Sequence, residues 1–163
     1  MKQVVGETYV IHTVEDLLVF EYDGSADKAL PDAVVLPSNT TEVASIVKIA
    51  SENEIPIIAR GAGTGLSGGA VAKGGGLVLS LTRMNKILEI NSKDHMAVVE
   101  PGVVNIDLSH SAEKYGLYYA PDPSSQKACT IGGNVAENSG GPHCLAYGVT
   151  TNHILGMEVV LSD

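Results

Sequence analysis

Residues 59–69, ARGAGTGLSGG, set five glycines, one threonine, one serine and one arginine in eleven positions. The interior of a helix or strand does not suit that density, because glycine loses the most backbone freedom on ordering. Bare backbone is useful where successive N–H groups must converge on an anion, and glycine supplies the close approach and the φ > 0 geometry of such a nest. Thr64 and Ser67 add hydroxyl donors. Arg60 has two readings: it pairs with a bound phosphate, or it neutralises a nearby carboxylate. A second window, Gly132–Gly141, holds four glycines, against eight in Gly61–Gly76 and 18 in the whole chain. Two glycine-rich loops suit two backbone contacts with one extended ligand.

The familiar phosphate patterns do not fit the first loop. Gly69 and Gly74 have the separation of a P-loop, but Gly75 and Gly76 stand where Lys and Ser or Thr are needed. A dinucleotide fingerprint requires its glycines to open a helix, with an acidic residue about 20 positions on. Here GGGLVLSL follows, which reads as a strand, and Glu89 has no such context. An irregular loop between strands, gripping an anion through its backbone, remains.

Other chemistry-bearing side chains read more plainly. His12, His95 and His110 lie in or beside ordinary secondary structure. His143, Cys144 and His153 lack a carboxylate at regular spacing, so no metal site is expected. Asp122, between two prolines, is either a turn-former bonding its own backbone or a rigidly held functional carboxylate. Tyr115, Tyr118 and Tyr119 read as packing residues.

Composition narrows the class. Hydrophobic residues make up 44% and charged ones 18%, as in a globular domain. Net charge is −9 and the ten basic residues are scattered, so no nucleic-acid footprint is visible. No apolar run approaches the roughly 20 residues of a membrane span. The opening MKQVVGETYVIHTVEDLLVF lacks the pattern of a signal peptide, so a cytoplasmic protein with reduced Cys129 and Cys144 is expected.

The elements that must position the loops follow from periodicity. Residues 34–59 read as β-α-β: AVVLP is a strand stopped by Pro37, Asn39 caps a helix with Glu42 at the capping-box position, and Val43, Ile46, Val47 and Ala50 form its apolar face. Ile55, Ile57 and Ile58 supply the strand entering the glycine loop. GGGLVLSL and MAVVEPGVV give further strands, the latter turned by Pro101-Gly102. A second helix is expected from about Asn105, with Leu108, Ala112 and Tyr115 inward and Gly116 at its end. YYAPDPSSQKACTIGGNVAENSGG reads mostly as loop, and HILGMEVVLSD as a strand.

RGAGTGLSGG, VVEPGV, PDPSSQKACTIGGNVAENSGGPHCLAYGV and LGMEVVL, in this order and at these distances, resemble the FAD-binding domain of the vanillyl-alcohol-oxidase (PCMH) type. Within it they are most similar to the glycolate oxidase / D-lactate dehydrogenase branch of FAD-linked oxidases. The resemblance runs from about Pro37 onward. It implies an α+β fold of two small α/β subdomains clasping FAD between them, a β-α-β unit with short parallel strands and then a mixed sheet with helices. The corresponding segments are a helical lead-in (1–33), a first FAD-binding subdomain (34–84) and a second (85–163), incomplete at its C-terminus.

The resemblance also implies site residues. Arg60, Gly61, Ala62, Gly63, Thr64, Gly65, Leu66 and Ser67 would wrap the FAD pyrophosphate. Pro121, Asp122, Ser124, Ser125, Thr130, Gly132, Gly133, Asn138, Ser139 and Gly140 would line the ribityl chain and isoalloxazine, and Pro37 and Val159 would flank the adenosine. His143 falls inside the second block. Gly61–Gly69 holds no His or Cys, so FAD is expected to be non-covalent. Ala146 departs from relatives, which commonly carry a basic residue before this Tyr-Gly, and so changes the charge beside Tyr147.

The family's catalytic base, substrate-binding Arg and metal ligands lie in a substrate domain that follows, so no catalytic or metal residue is assigned here. The implied parent enzyme oxidises a D-2-hydroxy acid of the glycolate or D-lactate type by hydride transfer to flavin N5. It then passes electrons to a carrier protein or quinone, and this portion alone would be inactive. The other reading is an isolated FAD-binding or assembly module without activity of its own. A cell-wall reductase sharing the fold carries a Gly-Ser-Asn loop that is absent here.

Overall fold

The computed structural model describes residues 1–162. The chain divides into two units, Met1–Arg83 joined by the terminal stretch from Glu158, and Met84–Met157.

The first unit opens with α1 (Lys2–Val5), β1 (Val10–Ile11) and α2 (Val14–Leu17). β2 (Ala33–Val35), α3 (Thr40–Glu52), β3 (Ile57–Arg60) and β4 (Leu77–Ser80) then form the expected β-α-β core. The sheet order is β1-β2-β4-β3, with β1 antiparallel to β2 and the other pairs parallel. β4 is buried along its whole length, as a central strand covered on both faces should be.

Asn39 caps α3 as expected, its side chain accepting from the Glu42 N–H at 2.9 Å. The return arm lands one residue further out: the Glu42 carboxylate accepts from the Ser38 N–H at 2.7 Å and the Ser38 hydroxyl at 3.0 Å. Those bonds, first the backbone one, hold the Glu42 carboxyl below the usual carboxylate range. Val43, Ile46 and Ala50 are buried, with Val47 at the edge of the same face.

β3 and β4 are parallel neighbours. Parallel neighbours need a crossover of a dozen or more residues, which is usually a helix. Here the crossover is the glycine-rich stretch 61–76, without helix or strand. The anion-nest candidate is therefore the connection that the sheet topology makes obligatory.

The second unit contains β5 (Ile87–Asn91), β6 (Met96–Val99), α4 (Asn105–Glu113), α5 (Ile131–Glu137) and α6 (Cys144–Tyr147). β5 and β6 make a two-stranded antiparallel sheet, so the mixed sheet expected here is corrected. Its core is Val103, Leu108 and Ile131, packed by Ile87, Val99 and Tyr119.

Three further expectations are corrected. The paired glycines of TIGGNVAE lie in a helix, because Thr130 caps it and only glycine fits against Pro101 at position 132. Tyr115 is 45% exposed, beyond the end of α4, so the inner face is Asn105, Leu108 and Ala112. Residues 154–162 form no strand; Leu155, Met157, Val159 and Leu161 are exposed and make no ladder with the described strands.

Candidate cofactor site

In the first unit, β3 delivers the chain into the loop and the backbone there is shaped by glycine. Gly63 has φ +69 and Gly68 φ +76, a region that L side chains rarely adopt. Among the described residues, no N–H from Gly61 to Leu66 donates to another protein group. Carbonyls of the same loop are in use: Gly65 accepts from the Gly24 N–H at 2.8 Å and Gly68 from the Val71 N–H at 3.2 Å. The loop is thus anchored through its acceptors while consecutive donors stay open. Leu66 is 78% exposed, its side chain lying against Gly24.

The Arg60 side chain does not extend to solvent. It is buried beneath the loop, its Nη1 donating to the Ala70 carbonyl at 3.2 Å, with the guanidinium 5.6 Å from the Phe20 ring centre. A Cβ at Gly63 would fall on that guanidinium. Burial pulls the Arg60 pKa down, and the Asp23 charge opposes that pull. Of the two adenosine-flanking candidates, Pro37 is fully buried just after β2 and Val159 is exposed next to Glu158, which accepts from the Thr40 hydroxyl at 2.8 Å.

Sequence reading missed the floor of this loop. Asp23, Gly24 and Ser25 lie under it: Asp23 is buried and Oδ1 accepts from the Ser25 N–H at 2.8 Å. A Cβ at Gly24 would meet the carbonyls of Gly65 and Thr64 at 2.8 and 2.9 Å. The available signal was the Asp-Gly pair in YDGS, a turn former that needs a reason to exist in a lead-in segment.

In the second unit the block 121–150 is built on a buried amide network. Asn105 Nδ2 donates to the Pro121 carbonyl at 3.0 Å and to Asn134 Oδ1 at 2.8 Å. Asn134 Nδ2 donates to Cys129 Sγ at 3.2 Å and to Ser139 Oγ at 3.3 Å. Thr130 is buried and its hydroxyl accepts from the Gly133 N–H at 3.3 Å, as the N-cap of α5. Asn138 ends α5 in the left-handed region at φ 49, and its Oδ1 accepts from the N–H and hydroxyl of Thr151. Thr130 and Asn138 therefore spend their side chains on this unit's own backbone and hydroxyls. Ser124 is exposed, while Ser125, Gly132, Gly133, Ser139 and Gly140 are half-buried.

The Asp122 carboxylate bonds its own backbone, as a turn-former does, and also reaches across to His143. Its Oδ2 lies 2.6 Å from His143 Nδ1, and Oδ1 accepts from the His143 N–H at 3.4 Å. A Cβ at Gly141 would fall on the Asp122 carbonyl, so the two segments are in close backbone contact. No group of three or more His, Cys, Asp or Glu suited to a metal occurs among the described residues, and Cys129 and Cys144 are unpaired. No helix among the described residues is long and apolar enough to cross a membrane.

The first loop fits an FAD pyrophosphate on its own chemistry. It offers a run of open N–H donors, hydroxyls at Thr64 and Ser67, and a glycine whose backbone no larger residue adopts without strain. The family described as FAD binding domain matches residues 31–163. The chain is 49% identical to glycolate oxidase subunit GlcD of Bacillus subtilis (strain 168), over 90% of this chain and 31% of that protein. It is 48% identical to a D-lactate dehydrogenase of Anaerostipes hadrus, over 82% of this chain and 28% of that one. The chain therefore spans about a third of the length of the curated relatives it matches. A solved alkyldihydroxyacetonephosphate synthase shares the fold, with TM-score 0.87 over 96% of this chain and 31% of that chain, at 22% identity.

Proposed function

The chain belongs to the FAD-binding-domain family and FAD is its cofactor; from that premise we propose that it is the FAD-binding portion of a flavin-dependent oxidoreductase acting on a D-2-hydroxy acid. The relatives carry the names glycolate oxidase subunit and D-lactate dehydrogenase, which supports a small 2-hydroxy acid as the substrate class. Bound FAD supplies the hydride acceptor, at N5 of its isoalloxazine ring.

The residues of this chain bind and orient. Arg60–Ser67 hold the pyrophosphate through backbone N–H groups, assisted by the Thr64 and Ser67 hydroxyls. Pro121, Asp122, Ser124 and Ser125, with Thr130, Gly132, Gly133, Asn138, Ser139 and Gly140, form the cradle for the ribityl and isoalloxazine end. Pro37 and Val159 flank the adenosine. Binding is non-covalent, and no residue of this chain acts as acid or base on the substrate. Residues 34–84 and 85–163 serve as the two FAD-binding segments, 1–33 as their lead-in. The whole protein works in the cytoplasm and passes electrons to a carrier protein or quinone.

One observation carries the proposal: the open N–H run of Gly61–Leu66 around a left-handed Gly63. Anaerobic addition of glycolate, D-lactate or L-lactate to the full-length flavoprotein tests it. Bleaching of the flavin absorbance by a D-2-hydroxy acid, and not by the L-isomer, is expected. A flavin that no 2-hydroxy acid reduces overturns the substrate class.

A further inference from the structure

The segment 23–32 has no role in the binding scheme above, yet it is tied to the glycine stretch at three points. Asp32 bonds Gly76 in both directions: its N–H donates to the Gly76 carbonyl at 3.0 Å, and its Oδ2 accepts from the Gly76 N–H at 2.6 Å. Lys73 Nζ lies 2.7 Å from Asp27 Oδ2. Gly24 donates its N–H to the Gly65 carbonyl at 2.8 Å. The first two ties fix the far end of the stretch. The third falls inside the open N–H run Gly61–Leu66 and acts on that run directly.

Two carbonyl oxygens converge on Gly24. A Cβ there would meet the Gly65 oxygen at 2.8 Å, the Thr64 oxygen at 2.9 Å and Leu66 Cδ2 at 3.0 Å. In a trans peptide the C=O and the following N–H point in opposite directions, and no peptide among the described residues is cis. The Thr64 carbonyl shares its peptide with the Gly65 N–H, and the Gly65 carbonyl with the Leu66 N–H. With both oxygens turned toward Gly24, both N–H groups turn away from it, side by side on the opposite face of the loop. Neither donates to another protein group among the described residues. Two successive N–H groups on one face make the anion-binding concavity of a backbone nest. A side chain at position 24 would have to push backbone oxygens aside, and so would turn these two peptide planes.

We infer that Gly24 is a positioning residue for the cofactor: it holds the Thr64 and Gly65 carbonyls on its own side of the loop, so that the Gly65 and Leu66 N–H groups face the pyrophosphate. Gly24 acts through the loop and does not itself touch the cofactor. This inference rests on the proposed pyrophosphate role of the loop and gives the lead-in segment a part in that site.

The test compares full-length wild type and Gly24→Ala, with Asn39→Ala, whose cap lies outside the loop, as the control for lost stability. FAD dissociation constants are read by flavin fluorescence, and hydrogen exchange of single amides is followed with and without FAD. In wild type the Gly24 amide should be protected in both states, while the Gly65 and Leu66 amides should gain about tenfold or more protection only when FAD binds. Gly24→Ala should bind FAD about tenfold or more weakly. At saturating FAD its Gly65 and Leu66 amides should still be less protected than those of wild type. A merely structural loss lowers stability, as in Asn39→Ala, and leaves the FAD-saturated loop as protected as before. Wild-type FAD affinity in Gly24→Ala, or full protection of its FAD-saturated Gly65 and Leu66 amides, overturns the inference. Should Gly24→Ala not fold, wild type decides: a protected Gly24 amide supports the inference, and one that exchanges as fast as the open loop amides overturns it. Wild-type Gly65 and Leu66 amides that FAD never protects overturn the loop assignment itself, a result separate from either outcome.

Discussion

The Asn105 side-chain amide donates to Asn134 Oδ1 at 2.8 Å, and both side chains are 1% exposed. Through the same two residues the head of α4 and the middle of α5 are tied to the Pro121 carbonyl and the Ser139 hydroxyl. Buried amides are stabilising only while all partners are present, since an orphaned donor keeps its full desolvation cost. Asn134→Ala strands one of the two Asn105 amide N–H donors, the other staying on the Pro121 carbonyl, and removes the bond to Ser139. It should cost about 2 kcal/mol, seen as an earlier denaturant midpoint at unchanged slope. An unchanged midpoint would show that the network contributes nothing.

Gly63 gives the sharpest test of the loop. At φ +69, with the Arg60 guanidinium where a Cβ would go, a β-branched residue is excluded twice. The backbone conformation alone is worth about 1–3 kcal/mol for a non-glycine residue. Gly63→Val should weaken FAD retention by at least about tenfold, measured as flavin absorbance per protein after gel filtration. Equal retention in variant and parent would remove the loop from the cofactor site.

The cap of α3 offers a prediction about folding alone. Asn39 accepts from the Glu42 N–H, and the Glu42 carboxylate binds Ser38 through two bonds. Asn39→Ala should destabilise by about 1 kcal/mol. FAD affinity of the folded variant should be unchanged, since neither cap residue lies in the glycine loop. A loss of affinity without a loss of stability would show that α3 positions the cofactor directly.

How far these features were legible in the sequence differs by element. The cap, the apolar face of α3 and the strand into the glycine loop were readable, because each depends on residues within a few positions of one another. The helix at Ile131–Glu137 was not, because paired glycines lower helix propensity and the reason for tolerating them is tertiary: the Gly132 N–H donates to the Pro101 carbonyl at 2.8 Å. The terminal MEVVL has strand composition, but a strand requires a ladder partner, and pattern alone cannot supply one. At the site, the glycines announced themselves. Asp23 did not, since its place under the loop comes from the neighbouring Gly24 N–H bonding the Gly65 carbonyl, far along the chain.

Asp122 and His143 connect the loop at Pro121 to the segment after Gly140, and the link should be visible in the pH dependence of stability. Burial pushes the Asp122 carboxyl up, but the two bonds from His143 and its charge outweigh that and hold it below the ordinary carboxylate range. A group whose folded pKa is depressed adds stability that is fully present above its unfolded pKa, about 3.9 for aspartate, and lost as pH falls through the folded value. His143→Phe removes both the imidazole bond and the charge. With His143 largely exposed, the cost at pH 6 should be modest, about 0.5–1 kcal/mol, and should shrink as pH falls below about 3.9 and wild-type Asp122 takes up its proton as well. Denaturant midpoints of the two proteins across that range check the sign. A gap that stays constant with pH would mean that His143 holds this segment by packing, with no contribution from the Asp122 charge.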